Sequence, residues 1–123
     1  MNDCVDFGII SNIEYGKDYS LIGGPCEYEA LYAQYRCVSV SDDIVNTWIP
    51  LTDNMPTYSC SLSRPSIGID HYGVTIIPPM SVKMLLGIVR LCMDTAFNES
   101  VEELIKLLNV ALENSQHIIC YGI

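Results

Sequence analysis

"HYGVTIIPPMS", residues 71–81, is the stretch on which the fold turns. Tyr72, Val74 and Ile76 would face one side of a strand, and Thr75 and Ile77 the other. Pro78 cannot donate to a sheet ladder, and the residue before a proline avoids the helical region. Ile77 is therefore expected to stay extended, Pro78 and Pro79 to stop the strand, and Ser81 to cap the helix that follows. That helix, "VKMLLGIVRLCM", is apolar nearly all the way round, the pattern of a helix covered on most sides.

Downstream, "SVEELIKLLNVALENS" holds Ser100 and Glu103 at capping-box spacing. Val101, Leu104, Ile105, Leu108, Ala111 and Leu112 form its core stripe, and Glu102, Glu103, Lys106, Asn109 and Glu113 face water. "HIICYGI" closes the chain as a short apolar strand returning into the sheet. Upstream, "NMPTYSCSLSRPSIGIDHYGVTIIPP" reads as strands at 57–62 and 71–77 joined by a wide link containing Arg64, Pro65 and Gly68. Val5 to Ser11 is an opening strand, and Cys37 to Val40 another. Tyr28, Leu31, Tyr32 and Tyr35 make a helical stripe after Pro25. Ser41 caps a second short helix that starts at Asp42 and Asp43 and should end at Pro50. Together these predict one α+β domain over residues 1–123. Its mainly antiparallel central sheet packs against two C-terminal helices, 81–93 and 100–114.

A chain of 123 residues, half of them hydrophobic, can bury a core without staples. It has no run near the 20 apolar residues a spanning helix needs. Acids stand at the start where a signal peptide carries bases, so the cytoplasm is the expected compartment. The six cysteines, at 4, 26, 37, 60, 92 and 120, are widely spaced and read as buried thiols. The net charge is −9. Residues 1–62 carry 9 acids against 2 bases, and residues 63–123 carry 6 against 4. Such a field repels nucleic acid and anionic membranes and steers a basic protein partner.

No catalytic, metal or cofactor signature stands out. His117 and Cys120 are three apart, on opposite faces of a strand, and no CxxC or HxxxH occurs. Neighbouring carboxylates (Glu27 and Glu29, Asp42 and Asp43, Glu102 and Glu103) diverge, and helix N-termini account for most of them. A thiol enzyme using Cys60 or Cys120 with His71 is the alternative reading, and a phage or regulatory interaction module a third. The tyrosines carry more weight, eight against two phenylalanines and one tryptophan. They form either a core-facing edge or a contact surface of the kind aromatic residues supply. On the second reading the partner-binding residues are Glu27, Tyr28, Glu29, Tyr32, Asp42, Asp43, Trp48 and Asp53. Trp48 itself fits either an anchor or the core.

From "MPTYSCSLSRPSIGIDHYGVTIIPPMS" through two helices to "IICYGI", residues 55–123 resemble the small bacterial immunity proteins that neutralise contact-dependent and other polymorphic toxins. The resemblance implies a non-enzymatic cytoplasmic antitoxin that blocks a toxin, often a nuclease. Members bind through diverging surfaces, so no binding residue carries over. A nuclease must present positive charge to phosphates, and an acidic inhibitor complements it.

Overall fold

In the computed structural model the C-terminal strand lies inside the sheet rather than at its rim. The structure describes residues 4–10, 13–16, 19, 38–70, 73–93 and 99–121, with only the backbone for Asp42 and Met93. The elements in chain order are β1 (Cys4–Ile10), β2 (Val38–Ser41), α1 (Asp42–Trp48) and a 3-10 turn (Ile49–Thr52). They continue as β3 (Pro56–Ser59), β4 (Pro65–Ile67), β5 (Val74–Ile77), α2 (Pro79–Met93), α3 (Glu99–Glu113) and β6 (His117–Tyr121). The sheet order is β2-β1-β6-β5-β3-β4, and every pairing among the described residues is antiparallel. The chain is thus the expected α+β domain, a central antiparallel sheet packed by the C-terminal helices.

Strand β6 is apolar because both its faces are covered. Ile118 and Cys120 turn toward the helices, where they join Val5, Phe7, Val40 and Ile77. Ile119 and Tyr121 turn the other way, onto Ile10, Tyr19 and Ile76. On the helical side α2 contributes Val82, Leu85, Leu86 and Val89, and α3 contributes Val101, Leu104, Leu108 and Ala111. Each set lies along one side of its helix, and a buried leucine such as Leu85 or Leu104 is worth roughly 1.5–3 kcal/mol. Among the described residues no helix is long and apolar enough to cross a membrane.

The double proline is used one step differently from the expectation. The helix starts at Pro79, not at Ser81. The Pro78 carbonyl accepts the N–H groups of Ser81 (2.9 Å) and Val82 (3.0 Å). Pro79 sits where a missing N–H costs nothing, because first-turn donors have no helical acceptor. Ser81 is released from capping. Its buried hydroxyl donates to the Pro56 carbonyl and ties the start of α2 to β3. Helix α3 likewise begins at Glu99, which puts Ser100 inside its first turn. At its other end Ser115 takes the left-handed conformation (φ 52°). Its N–H reaches Leu112 O, and Gln116 N–H reaches Ala111 O at 2.9 Å. This Schellman pair turns the chain back into β6.

Three further expectations are corrected. Pro50 does not end the second helix abruptly, because a 3-10 turn carries the chain on through it to Thr52. The link after β3 holds an additional edge strand, β4, whose Pro65, Ser66 and Ile67 are all exposed. Helix α2 is not covered on most sides, since Met80, Met84 and Leu91 are bare. The predicted helix bearing Tyr28, Leu31, Tyr32 and Tyr35 lies outside the described residues.

Candidate functional site

The segment from α1 to Asp53, just past the 3-10 turn, holds four of the eight residues predicted to contact a partner. Asp43 is exposed in the first turn of α1, and Asp53 is exposed just after the 3-10 turn. Neither forms an ion pair among the described residues. Asp42 opens α1, its side chain outside the described set. Glu27, Tyr28, Glu29 and Tyr32 also lie outside the described residues.

Trp48 is a correction. It is 1% exposed and packs its ring against Phe7, centroids 5.9 Å apart and tilted by 35°. Val45 and Trp48, three apart on α1, both enter the core, because a seven-residue helix lying on the sheet must bury one face. An indole placed there offers a partner nothing. It instead fixes the two carboxylates on either side of it.

The other end of this segment is held by Thr52, wholly buried. Its hydroxyl donates to Ile49 O (2.6 Å) and accepts from Ile69 N–H (3.2 Å). Its carbonyl accepts Met55 N–H at 2.9 Å. Gly68 N–H then reaches Met55 O (2.8 Å), and the Thr57 hydroxyl donates to Gly68 O (2.7 Å). The turn bearing Asp53 is therefore laced to the β3–β4 hairpin.

Exposed acids are not confined to the first half of the chain. Among the described residues Glu14, Asp43 and Asp53 are exposed there, against Asp70, Glu99, Glu103 and Glu113 in the second half. The halves differ more in their bases: the described residues of the first half hold five acids and no base, and those of the second half five acids and four bases. One of the first half's acids is internal. Asp6 of β1 is buried, opposite Ser39 on β2 and Tyr121 on β6, and accepts the Ser39 hydroxyl. Burial pushes its carboxyl above the usual carboxylate range, while the Ser39 hydrogen bond pulls the other way.

No family model, curated protein or solved structure matches this chain.

The thiol alternative meets a specific obstacle. Cys120 is wholly buried on the helix side of β6, out of reach of a substrate. Cys60 is half-buried in a left-handed turn (φ 65°), its N–H on Val74 O and its carbonyl on Tyr19 N–H. The predicted base, His71, lies outside the described residues. His117 is half-buried, and burial lowers its pKa, which favours the neutral ring. Among the described residues no group of three His, Cys, Asp or Glu side chains converges to hold a metal ion.

The raised Asp6 carboxyl has a pH signature. A folded-state value above the unfolded one (about 3.9 for a model aspartate) makes the folded state bind the proton more tightly. Stability is then lost as pH rises through the folded value, and above it the ionised buried group is a standing cost. Asp6→Asn keeps an acceptor for Ser39 and carries no charge. Urea midpoints measured across pH should show the variant gaining on wild type as pH rises above about 4, with the gain fading in acid. A difference that does not change with pH would mean that burial does not set this carboxyl.

Proposed function

We propose that the chain is an immunity protein, an antitoxin that occludes a cationic toxin domain, a nuclease by preference, from the cytoplasm of the cell it protects. One observation carries this reading. Asp43 and Asp53 are exposed, unpaired among the described residues, and held on a segment pinned by Trp48 and Thr52 in a molecule of net charge −9. Fixed carboxylates speed encounter with a basic surface and set its register without the entropy cost of ordering a loop. A nuclease's phosphate-binding surface is such a target. Glu27, Tyr28, Glu29, Tyr32 and Asp42 complete the proposed contact face, with no role for Trp48.

The test is association with any basic domain found encoded beside this gene, followed by stopped flow at several salt concentrations. Replacing both Asp43 and Asp53 by Lys should slow association about 10-fold or more at low salt. It should also flatten the dependence of the rate on salt. Both positions are exposed, so the fold should survive. Unchanged rates in the double variant would remove these carboxylates from the interface. No affinity for any neighbouring cationic domain, together with no rescue of growth in its presence, would remove the immunity reading itself.

A further inference from the structure

The outer side of α2 departs from the rest of the molecule. Met80 is 71% exposed, Met84 44% and Leu91 70%. With exposed Gly87 they stand at intervals of four, three and four residues, the spacing of a coiled-coil seam. The buried residues Val82, Leu85, Leu86 and Val89 occupy the opposite side, so this stripe is surplus to the core. At Gly87 an added Cβ would meet nothing within 4 Å, leaving room for a crossing helix to come close. Methionines suit such a surface because the thioether side chain repacks around different partners.

The charges choose the occupant. Lys83 and Arg90 are exposed, seven residues apart, and both immediately precede seam positions. In heptad terms both are g positions, which set partner choice. No acid occurs between Pro79 and Met93, although the chain carries 15 acids against 6 bases. Neither cation forms an ion pair among the described residues. A second copy would pair poorly. An antiparallel α2 sets Lys83 and Arg90 against the same cations. A parallel one sets Lys83 against Ile88 of the other copy, which carries no charge, and offers Arg90 no acid within the helix. A helix with carboxylates beside its apolar stripe satisfies both cations and fills the seam.

We propose that the outer face of α2 (Met80, Lys83, Met84, Gly87, Arg90 and Leu91) docks an acidic amphipathic helix of a partner protein. This site is separate from the Asp43–Asp53 face and of opposite charge, and it does not depend on the toxin reading.

The probe is a synthetic helix of about three heptads with Leu at its seam and Glu beside it, compared with a twin bearing Lys. Like charges keep each peptide from pairing with itself. Fluorescence anisotropy at about 0.15 M salt screens the net charge beyond ~8 Å but leaves contact pairs intact. The acidic helix should bind at least about 10-fold tighter than its twin. Replacing both Lys83 and Arg90 by Glu should invert that preference, and Met84→Glu with Leu91→Glu should abolish binding, with circular dichroism unchanged. Equal binding of the two peptides, or none of the acidic one, overturns the proposal. So does a dimer in sedimentation that Leu91→Glu dissolves, since the stripe would then be an interface between copies of this chain.

Discussion

Replacing Trp48 by Ala is expected to cost roughly 3–5 kcal/mol, the range for deleting a large aromatic from a packed core. The indole is 1% exposed and lies against Phe7, with Val5, Val40, Val45 and Met55 also in the surrounding core. It closes the corner where α1 leaves β2 and runs into the 3-10 turn, so backbone on both sides limits how far the cavity can collapse. Domains of this size have about 5–15 kcal/mol in total, so roughly a fifth or more of the stability would go. Urea unfolding followed by circular dichroism reads this out, since Trp48 is the one tryptophan and its fluorescence leaves with it. Leu51→Ala, three residues on and 52% exposed, should stay within about 0.5 kcal/mol. The pair of variants separates two roles that the sequence left open. An interface anchor would lose partner affinity at little cost in stability. A core residue loses stability first and affinity only through the displaced Asp43 and Asp53.

That ambiguity shows what periodicity can and cannot tell. It marks apolar positions but not the side from which they are covered. In α3 the polar and apolar residues are separated, so the buried stripe was legible, and Val101, Leu104, Leu108 and Ala111 are buried as expected. In α2 apolar residues surround the axis, and a covered helix and a helix with a bare seam look alike. The cue that distinguishes them was present in Lys83 and Arg90, spaced by seven along one edge. Strand β6 was legible as a strand returning to the sheet because the short apolar run 118–121 follows the polar turn Ser115-Gln116, while its central place became visible only in the assembled sheet. Strand β4 was not, because three exposed residues with a proline among them leave no alternation to read.

The candidate site divides the same way. Asp43 and Asp53 were legible as surface acids from their charge alone, since carboxylates are rarely buried unpaired. Asp6 is the exception that composition could not flag. It alternates correctly along β1, onto the face away from the helices, and only the assembled sheet shows that this face is closed over it. Thr52 was equally silent. A lone threonine after Pro50-Leu51 carries no signal that its hydroxyl and carbonyl will hold two other segments. The support of the site was therefore harder to read than its charges. Its carboxylates act individually, whereas its rigidity comes from contacts between residues distant in sequence.

Gly68→Ala tests that support and should cost roughly 2–3 kcal/mol. Gly68 has φ +75°, a left-handed conformation in which a side chain costs roughly 1–2 kcal/mol. The new Cβ would also lie 3.2 Å from Thr52 O and 3.3 Å from Thr52 Oγ1. These atoms cannot simply swing aside. The carbonyl holds Met55 N–H and the hydroxyl holds Ile69 N–H, so any movement weakens a hydrogen bond to buried backbone, typically worth about 1 kcal/mol. Gly87→Ala makes the same chemical change with the opposite sign. Gly87 lies inside α2 with nothing within 4 Å of an added Cβ, so the methyl should raise stability by about 0.5–1 kcal/mol through helix propensity alone. Urea midpoints of the two variants should move in opposite directions from wild type. Under the proposed function, the Gly68 variant should also bind a cationic partner more weakly than its residual folded fraction explains, because Asp53 follows Thr52 directly and moves with it. If both variants shifted stability the same way, the lacing between Thr52 and the β3–β4 hairpin would not be what holds the acidic segment in place.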